Sequence, residues 1–173
     1  NRYLPTTKYQ YEQNAFIFVL DTGRLPKETY QLMDATMEQY AFKYQVFFPD
    51  TQAVEDMVRE KGMNLFYHSV ENRLECCNVR KVQPLKRALF NFDAWITGLR
   101  RAQSVERASL DIVEWDDVHE MIKVNPLAAW SKDDVWNYIK RYDVPYNELH
   151  DKGYPSIGCD PCTRAVESGE DDR

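Results

Sequence analysis

From Ala15 to Leu20 every residue is apolar, and the run stops at Asp21-Thr22-Gly23. A short apolar run closed by a turn signal reads as a buried parallel strand followed by a loop. The same signature returns at Lys43 to Phe48, stopped by Pro49-Asp50, and at Ala94 to Thr97, followed by Gly98-Leu99-Arg100-Arg101. Helical signals lie between these runs. Pro26 suits a first helical turn, and Tyr30, Met33, Met37 and Tyr40 recur at spacings of three and four. Thr51 is placed to cap a helix with Val54, Met57 and Val58 inward, ended by Gly62. Leu85, Ala88 and Leu89 make another short helical face, whereas Phe66 to Arg73 fits neither period.

Further on, Asp111 to Trp115 and Met121 to Val124 read as two strands joined by a turn. Ser131 to Asp134 is a capping-type start, with Val135, Trp136 and Ile139 as the buried face of the helix it opens. Alternating strands and helices give an α/β fold with a mostly parallel, twisted sheet and flanking helices. In such sheets ligands sit at the carboxyl ends of the strands, so the loops Asp21–Arg24 and Gly98–Arg101 are expected on one edge. A length of 173 residues fits one domain, 1–173, whose part from about 144 to 173 is rich in loops.

The four cysteines fall in two tight pairs, Cys76-Cys77 and Cys159-Asp-Pro-Cys162. A chain this long needs no disulfide staples, so in a reducing compartment such pairs read as metal ligands or redox thiols. Adjacent helical residues point about 100° apart, which strains a tandem pair on one small ion and suits separate irons of a larger cluster. Iron–sulfur cluster, structural zinc, redox thiols and plain buried cysteines all stay open on the residues alone.

Basic side chains gather near the loop glycines and the cysteines. These are Arg24, Arg80 with Lys81, Arg100 with Arg101, Arg107 and Arg164. The guanidinium fork suits phosphate and sulfate oxygens, although any one of these is as readily a solvated surface charge. Lys81 lies four residues after Cys77 and on a helix would share its face. A net charge of −6 argues against a polynucleotide partner but not against a small anion. No apolar run approaches the roughly 18 residues of a membrane helix, and the start has no signal-peptide core. The expectation is a cytoplasmic protein with no membrane partner. Asp-Thr-Gly is also the aspartic-protease triplet, but that chemistry needs two such carboxylates and one triplet is present. His68, His119 and His150 share no ligand spacing and read as structural.

Several segments together resemble the adenylyl-sulfate and phosphoadenylyl-sulfate reductases. Val19-Leu-Asp-Thr-Gly-Arg-Leu25 with Glu28-Thr-Tyr30 is similar to the stretch after their nucleotide-binding strand. Glu75-Cys-Cys77 with Arg80-Lys81 resembles their first cluster motif, and Trp95-Ile-Thr-Gly98 with Arg100, Arg101 and Gln103-Ser104 their arginine loop. Val124-Asn-Pro-Leu127, Asp143 to Asn147 and Gly153 to Arg164 complete the set, in order.

The resemblance implies an adenine-nucleotide α-hydrolase-like fold and a 4Fe–4S cluster on Cys76, Cys77, Cys159 and Cys162. It implies adenosine 5′-phosphosulfate as substrate, bound by Leu20, Asp21, Thr22, Gly23, Arg24, Lys81, Gly98, Arg100 and Arg101. It also implies assimilatory reduction to sulfite and AMP through a cysteine S-sulfonate, resolved by thioredoxin or a glutaredoxin-like thiol. A homo-oligomer is compatible with it. The nucleophilic cysteine is expected beyond Arg173, so residues 1–173 alone are expected to bind a cluster without turning over. The family's phosphate loop has no counterpart in Asn1 to Asn14, Arg73 stands where a histidine is common, and Ala102 where an acid is. Rival readings are a cluster-bearing tRNA sulfurtransferase of the PP-loop type, a reductase of the 3′-phosphorylated substrate, and a zinc-stabilised module without activity.

Overall fold

The computed structural model describes residues 16–167. Residues 1–15, which include the Asn1–Asn14 stretch read as having no phosphate-loop counterpart, and residues 168–173 lie outside them. Strands and helices alternate as β1 (Phe18–Leu20), α1 (Lys27–Tyr40), β2 (Gln45–Phe47), α2 (Thr51–Lys61), α3 (Val70–Cys77) and α4 (Gln83–Leu89). They continue as β3 (Ala94–Ile96), β4 (Val113–Asp116), β5 (Met121–Val124) and α5 (Lys132–Tyr142). β1 pairs with β2 in parallel, and β5 lies between β3, parallel to it, and β4, antiparallel. The pairing is mostly parallel, as expected. Among the described residues, however, it forms two ladders, and β1 and β3 belong to different ones. β1 is also only half-buried, not fully covered.

Helix ends follow local chemistry. Asp50, not Thr51, caps α2, its Oδ1 accepting the Ala53 N–H at 2.9 Å. A carboxylate is the stronger acceptor, and taking that cap makes Thr51 the first helical residue. Gly62 ends α2 at φ +85°, with its N–H on the Val58 carbonyl at 2.8 Å. Ser131 and Asp134 form a reciprocal capping box at the start of α5.

The stretch that fitted no period becomes a 3₁₀ turn (Leu65–Tyr67) followed by α3, capped by Ser69. Between α3 and α4 the helix continues as a π-helical segment, Asn78–Val82. Its cause is Pro84. Proline has no N–H to return to the Arg80 carbonyl and its ring clashes there, so the turn before it widens. The Gln83 N–H accordingly bonds the carbonyl of Asn78, five residues back. The wider turn changes how residues 76–81 share a face, which matters below.

The core lies beside this widened turn. Met57, Leu65, Phe66 and Cys76 form one buried cluster, with Val58 and Val79 packed against it. Leu65 is 1% exposed. Leu65→Ala should therefore lower unfolding stability by about 2–5 kcal/mol. A urea titration with unchanged slope and a lower midpoint would show this; a loss under about 1 kcal/mol would mean the cluster is not the core.

Candidate functional site

Three segments far apart in sequence meet at Thr22. Its side chain is almost fully buried, at 1% exposure. The hydroxyl accepts the Arg24 N–H at 3.2 Å and lies 3.2 Å from the sulfur of Cys159. Its carbonyl accepts Nη1 of Arg80 at 2.7 Å. The turn around it is fixed by Asp21, whose Oδ1 accepts the Gly23 N–H at 2.8 Å and the Tyr30 hydroxyl at 3.0 Å. Gly23 sits at φ +71°, a conformation glycine takes without strain. The Cys-x-x-Cys turn is closed by the Cys162 N–H on the Cys159 carbonyl at 2.9 Å and docked by the Asp160 N–H on the Arg24 carbonyl at 2.8 Å.

All four cysteines line one cavity of about 200 Å³, although the two pairs are 81 residues apart in the chain. Arg73, Cys76, Cys77, Arg80 and Lys81 present one side of the α3–π helix to it. Arg24, Phe66 and Pro161 complete the wall, and no acidic residue is in it. All four thiols are free. Burial pushes the Cys76 thiol up, with Arg80 opposing. Burial and the neighbouring Cys159 and Cys77 push Cys162 up, with Arg73 and Lys81 opposing. Thiols that raise one another in this way are held as thiolates once a metal binds.

The donor set fits an anionic metal–thiolate group. Arg80 is buried, at 7% exposure, and its Nε has no hydrogen-bond partner among the described residues. A buried cation left without a counter-charge is costly, and a thiolate-ligated cluster would supply one. Among the described residues no three His, Cys, Asp or Glu side chains are gathered as a ligand set for a single ion. The thiols line a volume rather than meet at a point.

A larger cavity of about 870 Å³ opens beside the β3 loop, lined by Gly98, Arg100, Trp136, Tyr146 and His150. The face of α5 read from sequence as core, Val135, Trp136 and Ile139, is only half-buried and forms one wall of this cleft. An amphipathic period marks which side is apolar, not whether protein covers it. Asn125, fully buried, ties the β3 loop down. It accepts the Thr97 hydroxyl at 2.5 Å and donates from Nδ2 to the Asp111 carbonyl at 2.8 Å. It was not singled out as a site residue, although it stands in the Val124–Leu127 segment.

The expected site residues thus separate into three groups. Thr22, Arg24 and Lys81 lie at the cysteine cavity, and Asp21 and Gly23 shape the turn beside it. The Arg24 guanidinium turns away from the large cleft, bonding Asn64 and the Met63 carbonyl and stacking 5.0 Å over Phe66. Gly98 and Arg100 line the cleft. Arg101 does not; its Nε bonds the Leu110 carbonyl at 2.7 Å, so it braces the chain leading to β4. Leu20 lies at the end of β1, before the turn. The segment Pro155–Ile157 joins the regions. It borders the large cleft and a third cavity of about 480 Å³ that Lys81, Cys159 and Cys162 also line. The Lys81 ammonium lies 3.9 Å from where a Cβ on Gly158 would stand. Two of the three histidines have structural partners, His119 with Asp116 at 2.9 Å and His150 with the Tyr154 carbonyl at 2.7 Å, whereas the His68 side chain is exposed.

Comparison with known proteins identifies the family. The phosphoadenosine phosphosulfate reductase domain matches residues 6–165. The chain is 53% identical over 157 residues to adenosine 5′-phosphosulfate reductase of Burkholderia cepacia, covering 91% of this chain and 63% of that protein. It is 52% identical over 157 residues to the protein of the same name from Allochromatium vinosum, covering 91% and 61%. It therefore spans less than two thirds of the length of these relatives. Among solved structures, phosphoadenylyl-sulfate reductase from Candida auris superposes with a TM-score of 0.73 at 29% identity, covering 88% of this chain and 73% of that one. An FMN adenylyltransferase from Candida glabrata, at 16% identity and TM-score 0.51 over 79% of this chain and 40% of that one, shares the fold.

Burial, and then the bond to Asp21, raises the Tyr30 phenol above its ordinary value of 10.0. The folded state favours the neutral phenol. This contribution is complete below the unfolded-state value and is lost as pH rises through the folded one. Tyr30→Phe should flatten the alkaline fall in stability, read as urea midpoints between about pH 9 and 12. An alkaline limb identical to that of the parent would contradict the Asp21–Tyr30 brace.

Proposed function

The chain belongs to the phosphoadenosine phosphosulfate reductase domain family, and on that premise we propose that it is the substrate- and cluster-binding part of an adenosine 5′-phosphosulfate reductase of sulfate assimilation. The observation that carries this reading is the four-cysteine cavity, beside which the buried Arg80 keeps an Nε without a hydrogen-bond partner among the described residues. Cys76, Cys77, Cys159 and Cys162 would hold a 4Fe–4S cluster, which supplies a fixed, buried charge array near the sulfate end of the substrate. The tandem pair favours a cluster over zinc, because adjacent helical residues diverge by about 100° and serve two irons with less strain than one ion.

In this reading the large cleft takes the nucleotide. Trp136 and its aromatic neighbours offer a flat apolar wall for adenine, and Arg100 offers a guanidinium to phosphate oxygens. Lys81 stands where the wall 155–157 brings the cleft and the cysteine cavity together. There it faces the sulfate. A cysteine thiolate attacks the sulfur, a sulfur–sulfur bond forms, and the sulfur–oxygen bond breaks with its electron pair leaving on AMP. The cationic groups favour that departure by neutralising charge that grows on the phosphate. A dithiol such as thioredoxin then attacks the cysteine sulfur, releasing sulfite and becoming a disulfide. The substrate without a 3′-phosphate is preferred, in line with the names of the curated relatives. The cytoplasm is the expected compartment for this chemistry; among the described residues no helix is long and apolar enough to cross a membrane.

Two variants test the assignment. Arg100→Ala should weaken binding of adenosine 5′-phosphosulfate about 10- to 100-fold in calorimetric titration, the range of one charged hydrogen bond; unchanged affinity would remove the cleft from the reading. Lys81→Ala in the full-length protein should lower sulfite release with iron content unchanged, and unchanged release would remove Lys81 from the sulfate.

A further inference from the structure

The helix face that meets the cysteine cavity carries Arg73, Cys77 and Lys81 at intervals of four residues. Lys81 closes the side toward the loop 155–158. Arg73 stands one turn before Cys77, on an exposed stretch of α3. Neither cation makes a hydrogen bond or ion pair among the described residues. Both line the cavity that Cys162, the exposed member of the four thiols, also lines. The remaining arginines of the cavity are committed elsewhere, Arg24 to Asn64 and the Met63 carbonyl and Arg80 to the Thr22 carbonyl. With no acid in the wall, the thiols are the groups of the cavity that can become anionic beside Arg73.

Resting on the cluster reading above, we propose that Arg73 is a positioning residue for the cluster, an electrostatic clamp that keeps the exposed Cys162 thiolate on its iron. The physical reason is asymmetric exposure. Cys76 and Cys159 are buried and held by packing and by Thr22, whereas Cys162 meets solvent, where a ligating thiolate is most easily displaced. A permanent cation beside it stabilises the bound, charged form. Arginine suits this place because it carries its charge at every working pH and needs no carboxylate partner to hold it there.

The test is iron release from the full chain, purified anaerobically with its cluster and mixed with excess chelator while the visible absorbance is followed. Arg73→Gln should release iron about two- to five-fold faster than the parent, the size expected of one partly exposed charge interaction. Arg73→Lys should stay close to the parent rate. The gap between parent and Arg73→Gln should narrow in about 1 M salt, where the screening length falls to about 3 Å. Equal rates for parent and Arg73→Gln at low salt, or a lysine variant as fast as the glutamine one, would overturn the clamp. A parent protein purified without iron would instead overturn the cluster reading and the clamp with it, a result distinct from unchanged rates.

Discussion

The site depends on one buried guanidinium. Arg80 reaches from the π-helical segment to the Thr22 carbonyl, and Thr22 in turn touches Cys159 with its hydroxyl. This node joins the helix that bears the tandem cysteines, the turn after β1 and the Cys-x-x-Cys loop. Each of those segments is short and would have little reason to stay in place alone. The loop is docked by a few backbone bonds, and β1 is three residues long. A charged donor to a buried carbonyl is worth more than a neutral one, about 1.5–3 kcal/mol, and it acts where water cannot compete.

That node also creates a debt of charge. Arg80, Arg24, Arg73 and Lys81 surround the thiols with no acid among the cavity residues. In an apolar pocket lined by Phe66 this concentration of positive charge is unfavourable unless something anionic shares it. The four thiolates of a metal-bearing group would provide that, and would couple the fold of this region to the occupant of its cavity. The cleft next to it is different in kind. It is open, walled by aromatic rings and by one face of α5.

Much of this was legible in the sequence because it rests on local rules. The apolar run into Asp21-Thr22-Gly23 marks β1 and its turn, and the alternation of strands and helices gives the α/β class. The two cysteine pairs mark the two segments whose thiols line one cavity. Other features needed three dimensions. A position after a strand end says where the backbone is, not where a long side chain goes; hence Arg24 belongs to the cysteine cavity and Arg101 braces the approach to β4. Pro84 was visible, but its consequence, a widened turn that brings Arg80 and Lys81 to the same cavity as Cys76 and Cys77, follows from the unbroken helix around it. The apolar face of α5 was read correctly and assigned to the wrong neighbour, since periodicity cannot tell a core from a cleft. Asn125 escaped notice because a lone asparagine in a strand-end loop carries no signal of the hydrogen bonds it makes.

The proposed site requires the four cysteines to act as one ligand set. Metal and acid-labile sulfide analysis of the protein purified without oxygen measures this directly. The account predicts iron and sulfide in equal amounts, about four of each per chain, with a broad visible absorption that disappears when any of Cys76, Cys77, Cys159 or Cys162 is changed to serine. Zinc without sulfide, or no metal with the fold intact, would contradict it.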